Sequence, residues 1–186
     1  RGVEHPFGHI WKWTEQINIK AIDSSEVESL AKLSQATFLE SHGHSAEASD
    51  IENYVDFHFN IEELSKALND PNIHFNKIYF NNQLAGYSKL ILDKPHPFTD
   101  ITPIAKFERL YLLKDFYGLG LGEELLKHNI EIARNHQQRA FWLFVWTENK
   151  KGLKFYTKND FKIIGEHDFK ISDKHSNPNY VMLKVL

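Results

Sequence analysis

The residues best suited to ligand chemistry lie in Leu110-Tyr111-Leu112-Leu113-Lys114-Asp115-Phe116-Tyr117-Gly118-Leu119-Gly120-Leu121-Gly122-Glu123. A strand-like run enters a turn with glycine at every second position, and an amphipathic helix pattern follows directly. Glycine lets backbone N–H groups approach a ligand with no Cβ in the way. The helix start adds unpaired donors and a partial positive charge. Such a turn can cradle a pyrophosphate, and the same glycines can also make a purely structural turn. The dinucleotide pattern G-x-G-x-x-G fails because Glu123 stands in its last position, and the Gly-Lys-Ser/Thr ending of a Walker A loop is missing. A second segment, Trp142 to Phe161, joins an apolar strand to a helix, with Asn149 at the junction and Tyr156 seven residues on. Asn149 suits a helix N-cap there.

Other chemistries are excluded by what the chain lacks. It has 186 residues and no cysteine, so disulfides, thiolate nucleophiles, Cys-based zinc sites and Fe–S clusters are out. The 11 histidines show neither H-E-x-x-H nor a zinc spacing, and no metal is expected. His42 and His44 read as loop residues. Gly86-Tyr87-Ser88-Lys89-Leu90 lacks the last glycine of a nucleophile elbow. A net charge of −3 without a basic block argues against nucleic acid. No apolar run approaches the length of a membrane span, and the N-terminal residues carry no signal-peptide pattern. A cytoplasmic protein is expected, with residues 1–15 as an N-terminal extension and one domain over 16–186.

The elements that must position these residues follow from periodicity. Ile17–Ile22 alternates as a half-buried strand does. Asp23 to Glu28 offers capping-box spacings ahead of the stripe Val27, Leu30, Ala31, Leu33, Phe38. That helix should stop near His42-Gly43-His44. Short helices are expected around Asp50–Phe57 and Ile61–Asn69. Ile73–Phe80 and Gln83–Leu92 read as strands joined by a tight turn at Asn81-Asn82. Phe107–Leu113 is a strand, Gly118–His136 a helix, Ala140–Trp146 a strand buried on both faces, and Lys150–Asn159 a helix. Phe161–Ile171 and Asn179–Leu186 close the chain as strands. Trp142 and Trp146, on one face of their strand, read as core.

Together the glycine turn and the Asn149–Tyr156 segment resemble two motifs of the GNAT family of acetyl-CoA-dependent N-acetyltransferases, Q/R-x-x-G-x-G/A and N-x-x-A-x-x-F-Y. The resemblance covers residues 16–186. Phe107-Glu108-Arg109-Leu110-Tyr111 is further similar to the E-R-I-Y strand of PaiA-type polyamine N-acetyltransferases, and Gly165–Phe169 and Tyr180–Met182 match their closing strands more loosely. It implies an α/β (α+β) fold: a mixed, mostly antiparallel sheet of about seven strands with helices on both faces. It also implies acetyl-CoA as cosubstrate and direct acetyl transfer to a primary amine. Leu110, Tyr111 and Leu112 would hold the pantetheine arm, and the amides of Gly118, Leu119, Gly120, Leu121, Gly122 and Glu123 the pyrophosphate. Asn149 would bond the pantetheine region and Tyr156 would protonate the departing thiolate. Glu108 is the candidate base, with an ion pair to Arg109, Lys106 or another cation as its alternative.

Three departures from the motifs stand out. Tyr117 replaces the usual Gln/Arg of the turn, Gly152 replaces the common Ala, and Asp160 stands where a helix-ending Gly is usual. The acceptor expected is a small polyamine, supported by Glu40, Glu47, Asp50, Glu52, Asp56, Glu62 and Glu63 among Tyr54, Phe57 and Phe59. A protein α-amine acetyltransferase and a non-catalytic acyl-CoA-binding regulator are the alternatives. A second copy of the chain is an optional partner.

Overall fold

The computed structural model describes residues 16–186 and, before them, only a short backbone ladder of Val3–Glu4 against Ile10–Trp11. The expected extension over residues 1–15 otherwise lies outside the described residues. In chain order the elements are β1 (Ile17–Ala21), α1 (Val27–His42), α2 (Ala48–His58), α3 (Ile61–Leu68), β2 (Ile73–Phe80) and β3 (Gln83–Ile91). There follow β4 (Ile104–Leu112), α4 (Leu121–Asn135), β5 (Ala140–Trp146), α5 (Lys150–Lys158), β6 (Lys162–Lys170) and β7 (Ser176–Val185). One seven-stranded sheet has the order β1-β2-β3-β4-β5-β7-β6. Every neighbouring pair is antiparallel except β4 and β5. This is the α/β mixed sheet the sequence implied.

Local chemistry accounts for most boundaries. Asp23 and Glu26 form the expected capping box at the turn into α1. Asn81 and Asn82 take φ of 48° and 65°, which closes the β2–β3 hairpin. Asp160 takes the left-handed conformation, φ 68°, after α5. Three expectations shift, one of them the last strand, which begins at Ser176 rather than Asn179 because Ser176 to Pro178 pair with Asp168 to Lys170. The α4 helix begins at Leu121 rather than Gly118, because Gly118 and Gly120 both sit at φ 78°. Strand β4 begins at Ile104 rather than Phe107, because Ile104 to Lys106 pair with Ala140 to Trp142. That long-range pairing leaves no trace in local periodicity.

Helices cover both faces. On one, Leu126 and Ala133 of α4 and Phe155 of α5 pack on Phe107, Phe141 and Leu143. On the other, Leu30 and Leu33 of α1 and Leu64 of α3 pack on Phe75 and Tyr87. The α2 residues Ile51 and Val55 cluster with Phe38, Phe59 and Ile171 at the same face.

Candidate active site

Two irregularities of β4 make the site. It pairs with β5 only over Ile104 to Lys106, and beyond that point the strands separate. The β5-facing edge of the rest of β4 is left free to bond another chain-like group. The second irregularity is a bulge: Lys89 faces Arg109 and Leu90 faces Phe107, which leaves Glu108 as the extra residue. One extra residue flips the alternation of side chains. Lys106 and Glu108 before the bulge, and Arg109 and Tyr111 after it, therefore all line one cavity.

Two cavities occupy the gap between the strands. The larger, about 800 Å³, runs from the glycine turn to β4 and β5. The smaller, about 290 Å³, lies under α1 and α2. His42, Leu110, Tyr111, Trp146, Asn149 and Tyr156 line both, so the cavities meet there.

The larger cavity has the features of a phosphate cradle. Gly118, Gly120, Leu121, Gly122 and Glu123 line it, and so do Leu110, Tyr111 and Leu112. Leu119 does not; its side chain is exposed. A Cβ built on Gly118 or Gly120 would meet no atom within 4 Å, so both backbones face open space. Glu124 N makes the first turn bond of α4 to Gly120 O, 3.3 Å. The N–H groups of Leu121, Gly122 and Glu123 thus have no helical partner. Lys158 pairs with Glu123 at 2.9 Å and lowers its carboxyl through a hydrogen bond and its charge. Where Tyr117 replaces the motif's polar residue, Lys151 lies 3.9 Å over its ring. A cation therefore still stands at the turn.

Asn149 caps α5, its side chain accepting from Gly152 N at 2.9 Å. This explains the glycine at 152. A Cβ there would lie 2.6 Å from Asn149 Nδ2 and 2.9 Å from its Cγ. Gly152→Ala should therefore forgo the usual gain of about 1 kcal/mol from helix propensity, because Asn149 must rotate off a cap worth about as much. Thermal melts should show little or no stabilisation. A clear rise in Tm would contradict the clash.

Tyr156 sits half-buried where the cavities meet, and burial pushes its phenol pKa up. Phe155 and Phe161 hold its ring, at centroid distances of 5.1 Å and 5.3 Å. Glu108 lines the smaller cavity and is paired, with Lys89 Nζ at 3.0 Å and Lys106 Nζ at 3.9 Å. Burial raises its carboxyl, but the charges of Lys89, Lys106 and Arg109 and the Lys89 hydrogen bond outweigh that and bring it to about 2.

Several site residues differ from the sequence reading. His42 is the last residue of α1 rather than a loop residue; it stacks on Phe38 and lies 5.9 Å from Tyr111, centroid to centroid. Burial, with the His44 charge second, lowers its pKa to about 4, so the imidazole is neutral at neutral pH. Trp142 is core, whereas Trp146 lines both cavities and faces His42 and His44. Arg109 and Lys151 were missed as site residues; only the bulge and the Tyr117 contact bring them in. None of the seven carboxylates from Glu40 to Glu63 lines the smaller cavity. Glu40 borders the larger one and accepts from Lys114 N at 2.8 Å, and Glu62 and Glu63 pair with Lys66. Tyr54 and Phe59 do line the smaller cavity.

Comparison with known proteins bears on the family and the fold. The model of the acetyltransferase (GNAT) family matches residues 27–161. An uncharacterized N-acetyltransferase of Lactobacillus delbrueckii subsp. lactis is 25% identical over 91% of this chain and 98% of its own. One from Mycobacterium bovis is 25% identical over 87% of this chain and 99% of its own. Among solved structures, PaiA N-acetyltransferase from Thermoplasma acidophilum, in complex with coenzyme A, superposes with a TM-score of 0.73. It is 21% identical and covers 92% of this chain and 99% of its own. The ribosomal-protein-S18-alanine N-acetyltransferase of Escherichia coli gives 0.61 at 13% identity, over 91% of this chain and 94% of its own. With its sheet parted between β4 and β5, its open glycine turn and a family match over most of its length, the chain belongs to the GNAT family and is an N-acetyltransferase.

Proposed function

We propose that the chain binds acetyl-CoA in the larger cavity and transfers the acetyl group directly to a small primary amine in the smaller one. The observation that carries this reading is the meeting of the two cavities at Tyr156. Support for the donor comes from the open backbone at Gly118 and Gly120 and from the coenzyme A in the Thermoplasma structure. When bound, acetyl-CoA supplies an acetyl group activated as a thioester.

The chain's residues divide the remaining work. The N–H groups of residues 118–123 receive the pyrophosphate, with Lys151 beside them. The free edge of β4 at Leu110, Tyr111 and Leu112 bonds the amide arm as a strand would. Asn149 adds a polar contact where the arm reaches the junction. Tyr156, kept protonated by burial, gives its proton to the departing sulfur. A primary ammonium of pKa near 10.4 is only about 0.04% neutral at pH 7, so its proton needs an exit. Water in the cavity takes that proton, and Glu108, whose carboxyl at about 2 stays ionised throughout, accepts a hydrogen bond that holds the amine beside it.

A polyamine acceptor draws support from the Phe107–Tyr111 likeness and the Thermoplasma neighbour. The carboxylates that would have held a polycation lie elsewhere, which weakens that case. A cavity of about 290 Å³ bounded by Phe38, Tyr54, Phe59 and Phe169 favours a small acceptor over a peptide. Calorimetric titration should show one acetyl-CoA bound per chain. No heat of binding at high micromolar acetyl-CoA would sink the reading.

A further inference from the structure

The acceptor cavity is unbalanced in charge. Lys106 and Arg109 line it with a single carboxylate, Glu108. Glu108 is already engaged by Lys89 at 3.0 Å, with Lys106 at 3.9 Å. Arg109 has no carboxylate within ion-pair reach among the described residues. Its guanidinium lies 4.5 Å over the Phe59 ring, and its buried Nη1 has no hydrogen-bond partner. The Tyr87 hydroxyl is its buried polar neighbour and brings no countercharge. A buried cation left unpaired is costly, and an arginine fork matches a carboxylate with two parallel bonds. Such an arrangement is what a site looks like when the missing partner arrives with a ligand.

The ligand in question is not the acyl donor. Arg109 lines the smaller cavity and is absent from the lining of the larger one, the cavity proposed above for the donor. The bulge at Glu108 is what turns Arg109 into this cavity. A polycation would meet Lys106 and Arg109 with repulsion. An amine that also carries a negative group would meet Glu108 with one end and Arg109 with the other.

We propose that the acceptor is a small aminocarboxylate, its amine directed to the Glu108–Tyr156 side and its carboxylate paired with Arg109. This rests on the acetyl-transfer reading above and names the acceptor class within it. Arg109 is then a specificity residue, with Lys106 adding charge beside it. The reaction must draw on free amino acids or short-chain amino acids and release their N-acetyl derivatives.

The test compares amines in pairs that differ only by a carboxylate: phenylalanine with phenethylamine, ornithine with putrescine, leucine with isoamylamine. Acetyl-CoA is the donor and kcat/KM is the readout. Charge-assisted hydrogen bonds are worth enough to favour the carboxylate member of at least one pair by about tenfold or more. Arg109→Met should bring that ratio towards one, and Arg109→Lys should restore part of it. Turnover of putrescine, spermidine and phenethylamine with no gain from a carboxylate overturns this inference and leaves acetyl transfer standing. A ratio unchanged in both variants also overturns it. Failure of every amine, together with failure to bind acetyl-CoA, removes both readings at once.

Discussion

Tyr156→Phe should lower kcat by about 10²–10⁴-fold, the usual worth of a general acid, with KM for acetyl-CoA little changed. The substitution deletes only the hydroxyl. The ring contacts with Phe155 and Phe161 remain, so the packing at the base of α5 is kept. Burial raises the phenol above its ordinary value, so it stays protonated across neutral pH and gives the rate no limb there. Steady-state kinetics on both proteins decides the matter. Wild-type turnover in the variant would leave Tyr156 as a packing residue only.

Glu108→Gln should reduce stability sharply. A carboxyl brought from about 4.5 down to about 2 contributes on the order of 3 kcal/mol at neutral pH. Its loss also leaves Lys89 and Lys106 without their shared countercharge, which is the costly way to break a buried pair. For a chain of this size that corresponds to a fall in Tm of roughly 6–12 °C. The sign of the pH dependence follows from the depressed value. The wild-type contribution is whole above about pH 4.5 and is lost as pH falls towards 2, so the gap between the two proteins narrows on acidification. Melts between pH 2 and 7 check this. A gap that stays constant would show that Glu108 is not held down by its neighbours. In kinetics, no limb between pH 5 and 9 should belong to Glu108.

The parts of the site that were legible in the sequence are those where backbone needs leave a residue-type mark. Gly118 and Gly120 are required by positive φ and Asn149 by a helix start; outside the site, Asn81-Asn82 marked the hairpin in the same way. The helices and strands followed from periodicity to within a few residues. What periodicity could not show is convergence across the sheet. Lys106 and Arg109 stood beside Glu108 in sequence as candidate partners, but Lys89 is level with Arg109 only because β3 and β4 pair in that register, so the closest cation on Glu108 has no local signal. The bulge that sends Arg109 into the acceptor cavity is likewise a property of two strands. His42 and Trp146 looked like loop and core because nothing near them in sequence marks the gap between β4 and β5. The carboxylates of α2 and α3 show the reverse error. Their abundance suggested a binding face, and the structure leaves them outside the cavity.

The most direct measurement is the initial rate of free thiol release from acetyl-CoA with and without an amine. The chain contains no cysteine, so a thiol reagent reports only the coenzyme A set free. The account predicts release that depends on enzyme and on amine, saturates in both substrates, and yields one N-acetyl amine per thiol. Acetyl-CoA that binds yet is never cleaved, whatever amine is offered, would contradict it.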